Sequence, residues 1–272
     1  TSTLGTTGAT FVRLLLTAVV LGVPTFVMGG TLPAAARAVS AADDVKRRNV
    51  ATLYAVNTAG AVAGAFAANF LLLEVFGTRM TLWLACLVNA LVGMTARTIA
   101  RRSAARTTGE DSPSKYASSQ AAVSRFPWFP SLAAGIAGFA FLLMELVWYR
   151  MLAPILGGSS YSFGLILCVA LLGIGIGGGL YAQFGQNRPA TLAGFAWTCA
   201  LEALCLMIPF AVGDGIAIAT VILRGFGALG FAGHVATWTV VTAFVVLPAA
   251  IVSGFQFPLI IALYGSGDIH LG

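Results

Sequence analysis

Residues 135–180 read GIAGFAFLLMELVWYRMLAPILGGSSYSFGLILCVALLGIGIGGGL, and Glu145 and Arg150 are the only charged side chains in the stretch. The Gly-Gly-Ser-Ser sequence at 157–160 separates two apolar runs, each about 20 residues or longer with its flanks. That is the length a helix needs to cross roughly 30 Å of hydrocarbon. A soluble helix of this length would carry a charged face, and neither run has one. The stretch therefore predicts two membrane-spanning helices joined by a tight turn.

Working outward, the same reading gives seven spans: residues 11–40, 51–76, 78–100, 131–157, 161–184, 190–212 and 236–264. The first is interrupted by Pro24, Gly29, Gly30 and Pro33, and the last by Pro248, Gly254 and Pro258. Gly77 and Thr78 leave only a turn between the second and third spans, which predicts an antiparallel hairpin. Residues 101–130 are rich in Ser, Ala, Thr and charge and read as a polar linker. Residues 214–230 are short and glycine-rich, and favour an amphipathic or re-entrant element over an eighth span. The organisation expected is an all-α, polytopic transmembrane bundle of two partial, transporter-like repeats. Residues 1–100 close the first repeat, 101–130 link, and 131–272 form the second.

Composition agrees. Of 272 residues, 58% are hydrophobic and 9% charged, with a mean hydropathy of +0.92. A soluble domain carries about 25% charged residues, so a water-exposed surface could not be covered. The net charge of +6 does not point to nucleic acid, because the basic residues sit in inter-span loops. Lys46, Arg47 and Arg48 follow the first span, Arg97, Arg101, Arg102, Arg106, Lys115 and Arg125 the third, and Arg188 the fifth. With alternating spans all these loops fall on one side, which the positive-inside rule makes cytoplasmic. Arg79 alone lies opposite. The expected location is the plasma (cytoplasmic) membrane, with the linker inside the cell. Cys86, Cys168, Cys199 and Cys205 lie in apolar segments without CxxC spacing, which disfavours a metal site and predicts buried thiols acting as small hydrophobes. Neither a cofactor nor a metal is expected.

The segment VVLGVPTFVMGGTLP (19–33) resembles FVVLPAAIVSGFQFP (244–258), with Gly29 matching Gly254 and Pro33 matching Pro258. Paired, glycine- and proline-interrupted spans in two halves characterise transporter-like repeats. Gly173/Gly177 and Gly60/Gly64 each form a GxxxG pair, which lets helix backbones approach closely in lipid. The run 171–185, LLGIGIGGGLYAQFG, imitates part of a nucleotide-binding loop, but no strand precedes it.

Glu145 lies near the middle of the fourth span and Glu202 within the sixth. A charge at the bilayer centre costs about 2.5–3.5 kcal/mol on insertion scales, so each acid requires a partner or a role. Arg150, five residues from Glu145, lies about 140° around the helix and does not face it. Two readings stand. The acids, with Tyr54, Asn57 and Arg150, line a site for a cation or proton, or they tie helices together. Asn57 and Asn69 put amides into the second span, where cross-helix bonds are the usual outcome. Glu74 and Asp214 lie near span ends, His234 at a loop edge and His270 in the tail, all without a specific role.

Several of these segments together resemble the membrane domain of the spermidine synthase-like integral membrane proteins. The matching pieces are PTFVMGGTLPAAAR from Pro24, RNVATLYAVNTAGAVAGAF from Arg48, MELVWYRMLAPILGGSSYSF from Met144 and LLGIGIGGGL from Leu171. The resemblance implies a transporter-like helical region that precedes an aminopropyltransferase-like domain. It also implies that this chain begins partway through the first half and ends before the second Tyr-x-x-Asn-Thr segment. No glycine-rich strand–turn–helix for an S-adenosylmethionine-type cofactor is present in the sequence, so polyamine chemistry is implied for full-length relatives only. The leading expectation is a membrane domain that binds or moves a polyamine or other organic cation. The alternative is a structural subunit that anchors other membrane subunits.

Overall fold

In hydrocarbon a backbone amide finds no water, so an apolar chain satisfies its hydrogen bonds by closing each span into a helix. The computed structural model describes residues 5–39, 48–107, 128–185 and 189–265, and among these nearly every residue is helical and none forms a strand. The elements are α1 (Gly5–Val39), α2 (Arg48–Ala67), α3 (Leu73–Thr107), α4 (Trp128–Leu156), α5 (Ser160–Leu180), α6 (Leu192–Val212), α7 (Asp214–Leu223) and α8 (Phe231–Gly265). A π-helical turn joins α2 to α3 at Ala68–Leu72, and another follows α5 at Tyr181–Gly185. Among the described residues, six helical runs are long and apolar enough to cross a membrane. One of them, Leu53–Arg102, is 50 residues long. At 1.5 Å per residue it is about 75 Å, enough for two crossings. Gly77 breaks it with φ +67° and ψ 174°, a conformation open only to glycine. Beyond Gly77 the residues to Arg102 are exposed apart from Thr81, so no packed hairpin of spans two and three forms among the described residues.

Two compact units divide the chain, residues 1–58 and 59–272. In the first, α1 presents Phe11, Phe26 and Met28 on its exposed surface. Its threonines return their hydroxyls to the helix, Thr17 to the Arg13 carbonyl at 2.8 Å and Thr25 to that of Leu21 at 2.7 Å. Such back-bonding satisfies a hydroxyl that has no water partner.

The second unit holds the core, centred on α5 and α8. Gly173 lies against Ala250, a side chain at Gly177 would run into the Ile251 carbonyl, and one at Gly254 into the backbone of Ile174. The GxxxG pair of α5 is thus a close-packing face, and its counterpart is the glycine of the second repeat copy. Trp148, Leu152 and Leu156 of α4 complete the core with Ile166, Val245 and Val246. The Gly157–Ser159 turn has Gly157 at φ +90° and Gly158 at φ +61°. Ser159 then caps α5 by accepting from the Ser162 amide, and the Ser162 hydroxyl donates to the Leu156 carbonyl at 2.9 Å.

Two expectations are corrected here. The glycines and prolines do not interrupt their spans: α1 is helical through Pro24, Gly29, Gly30 and Pro33, and α8 through Pro248, Gly254 and Pro258. Each proline removes one backbone bond, and both helices run on across the loss, α8 packed by α4, α5 and α6 and α1 with its most apolar window unburied. The thiols are not uniformly buried either. Cys168 is, but Cys86 and Cys199 are exposed, because in lipid a small hydrophobe gains little from burial. The polar linker falls mostly on residues 108–127, which with Lys46, Arg47, Arg188 and His270 lie outside the described residues.

Candidate functional site: a carboxylate held between two spans

Thr191 opens α6 by accepting a hydrogen bond from the Gly194 amide at 3.1 Å. Eleven residues on, Glu202 is half-buried on the face turned to α8. Gln256 of α8, only 3% exposed, donates from Nε2 to Glu202 Oε2 at 2.8 Å. Ser253, one turn earlier on α8, lies beside the carboxyl group. The same Gln256 amide lies 3.9 Å from the Sγ of Cys199, one turn before Glu202. Spacing of three residues on each helix puts Cys199 with Glu202 and Ser253 with Gln256 on facing stripes. The arrangement ties a carboxyl group inside one span to an amide donor on the neighbouring span.

The other expected site residues are placed differently. Glu145 is half-buried beside Met144 and Trp148 on α4, and no hydrogen bond or ion pair engages it among the described residues. Arg150 is exposed and makes no ion pair with Glu145. Glu145 and Glu202 share no hydrogen-bond partner. Tyr54 and Asn57 belong to the first unit. There Tyr54 is half-buried, its carbonyl accepts from the Thr58 hydroxyl at 2.9 Å, and Asn57 is exposed. Asn69 makes a cross-helix bond, donating from Nδ2 to the Tyr161 carbonyl at 3.3 Å with its side chain seated on Gly164. Among the described residues no three His, Cys, Asp or Glu side chains come together as a metal site.

Gln256 and Ser253 are the residues that sequence reasoning missed. Both stand within the second repeat copy, FVVLPAAIVSGFQFP, where Gly254 and Pro258 drew the attention. The signal available was an amide in an otherwise apolar span, the same signal that singled out Asn57 and Asn69. In comparisons with protein-family models, with curated proteins and with solved structures, nothing matches this chain.

Proposed function

We propose that this chain is the membrane domain of a spermidine synthase-like protein and that Glu202, with Gln256 and Ser253, is its binding point for a polyamine or other organic cation. The observation that carries the reading is a carboxyl group held by the Gln256 amide within a span, since ionisable groups inside membranes mark ligand or ion paths by default. Glu145, half-buried without a partner among the described residues, is the second anionic group available to a long polyamine. The proposed setting is the cytoplasmic membrane, with the basic loops and the 101–130 linker on the cytoplasmic side. The test is equilibrium binding of labelled spermidine to the purified protein, beside Glu202→Gln and Glu145→Gln. Saturable binding weakened at least about tenfold by Glu202→Gln, a loss of about 1.4 kcal/mol, supports the site. No saturable binding to folded protein sinks it.

The second reading is a structural membrane subunit, and the Glu202–Gln256 bond also favours it, because it joins α6 to α8. Under that reading Glu202→Gln lowers the unfolding temperature and leaves no cation affinity to lose.

A further inference from the structure

Residues 214–230 form an element that cannot cross the membrane and yet has no water-compatible face. α7 is 10 residues long, about 15 Å, half the hydrocarbon thickness. The neighbouring helices fix which end of the bundle it occupies. Tyr161, at the start of α5, meets Phe231, at the start of α8, at 5.6 Å between ring centroids. Tyr181, after the end of α5, meets Phe255 at 5.1 Å. α5 and α8 therefore run parallel. α6 makes the one intervening crossing, so 214–230 stays at the end where α5 begins.

The inner face of the element is tied to the bundle. Ile216 and Thr220 are buried, and the Thr237 hydroxyl of α8 donates to the Leu223 carbonyl at 3.1 Å. The 3-10 turn Arg224–Leu229 lies over Gly233, and Gly227 rests on the His234 ring. The outer face presents Ile218, Val221, Ile222, Phe226 and Leu229, which are 55–73% exposed. This apolar surface is continuous in sequence with exposed Phe210 before it and Phe231 after it. Only the ends of α7 are charged, Asp214 in its first turn and Arg224 just past its last. A helix that is apolar all round requires an apolar environment, while a deep position would bury Arg224 and the carbonyls of the 3-10 turn. We propose that 214–230 lies flat in the lipid leaflet at this end of the bundle. Its outer face is covered by the upper acyl chains, and Asp214, Arg224 and the 3-10 turn sit at headgroup level.

The test uses the full chain in phosphatidylcholine vesicles. Nitroxide labels are placed at Ile222→Cys, at Leu229→Cys and, for depth, at Leu204→Cys in mid-α6, with the native cysteines replaced by alanine. The expected result at positions 222 and 229 is more frequent collision with oxygen than with a water-soluble nickel chelate, at a depth shallower than position 204. Dominant nickel collisions would make the element a water-facing loop. Shielding from both reagents would mean that protein covers it, and a depth equal to position 204 would mean a re-entrant dip. Each of these overturns the proposal. So that the test does not rest on the cysteine-free background alone, the native chain is also cross-linked to phosphatidylcholine carrying a photoreactive group high or low on its acyl chain. Adducts within 218–229 from the high position exceeding those from the low one are expected. Labelled α6 peptides beside unlabelled 218–229 overturn it.

Discussion

The similar segments 19–33 of α1 and 244–258 of α8 differ in environment. None of the most apolar window of α1 is buried, whereas 44% of that of α8 is. A side chain at Gly29 or Gly30 would meet no atom within 4 Å, while one at Gly254 would strike the backbone of Ile174. The GxxxG pairs differ in the same way, since Gly60 and Gly64 face open space and Gly173 and Gly177 face α8. Hydropathy thus settles only that a segment enters lipid. Whether its small residues become an interface depends on a second helix presenting a matching gap, because lipid tails are as apolar as leucine and give no preference for burial in protein.

The sharpest break of this comparison is steric. Gly254→Leu or Gly177→Leu forces a side chain into backbone and is expected to cost about 3 kcal/mol, read as a lowered unfolding temperature in detergent. Gly29→Leu is expected to stay within ~0.5 kcal/mol. An equal fall at Gly29 would show that the α1 copy is packed after all.

A smaller effect is expected at the tie between α6 and α8. In a double-mutant cycle, Glu202→Gln and Gln256→Leu should show a coupling of about 0.6–2 kcal/mol, the range of cross-helix polar bonds in lipid. Strictly additive losses would mean that the 2.8 Å bond contributes nothing to holding α8. Asn69→Ala should lower stability by about 1 kcal/mol, from one bond to the Tyr161 carbonyl and its contact with Gly164. No change would place Asn69 with the open glycines of α2. The smallest effect is expected at Gly60→Ala and Gly64→Ala, which should be neutral or stabilise by up to about 1 kcal/mol through helix propensity. A clear loss would reveal a close neighbour on that face.

The site was legible in part. Glu202 stood out because a carboxylate in an apolar span demands compensation, and the argument needs no coordinates. Its neighbours on α8 did not stand out, because Ser253 and Gln256 lie 51 and 54 residues further along the chain and nothing local to α6 specifies them. Glu145 drew attention on the same grounds, and no bond of its own followed among the described residues. The prolines misled as well. Proline removes a hydrogen bond wherever it stands, yet the helix can run on without it. α1 does so through Pro24 and Pro33 with none of its most apolar window buried, and α8 through Pro248 and Pro258 while packed by three other helices.

By itself the sequence determined that the chain is helical and enters the membrane repeatedly, since length, apolarity and the absence of backbone partners in lipid leave no other solution. It also marked Gly77 as a break and Gly173 and Gly177 as packing positions. Only the tertiary structure decided that α5 and α8 run parallel, that Gly254 closes on Ile174, and that Glu202 is held by Gln256. Those are choices of partner between distant segments of equal apolarity, and they are made by shape and hydrogen bonding at contact distance, which no single segment encodes.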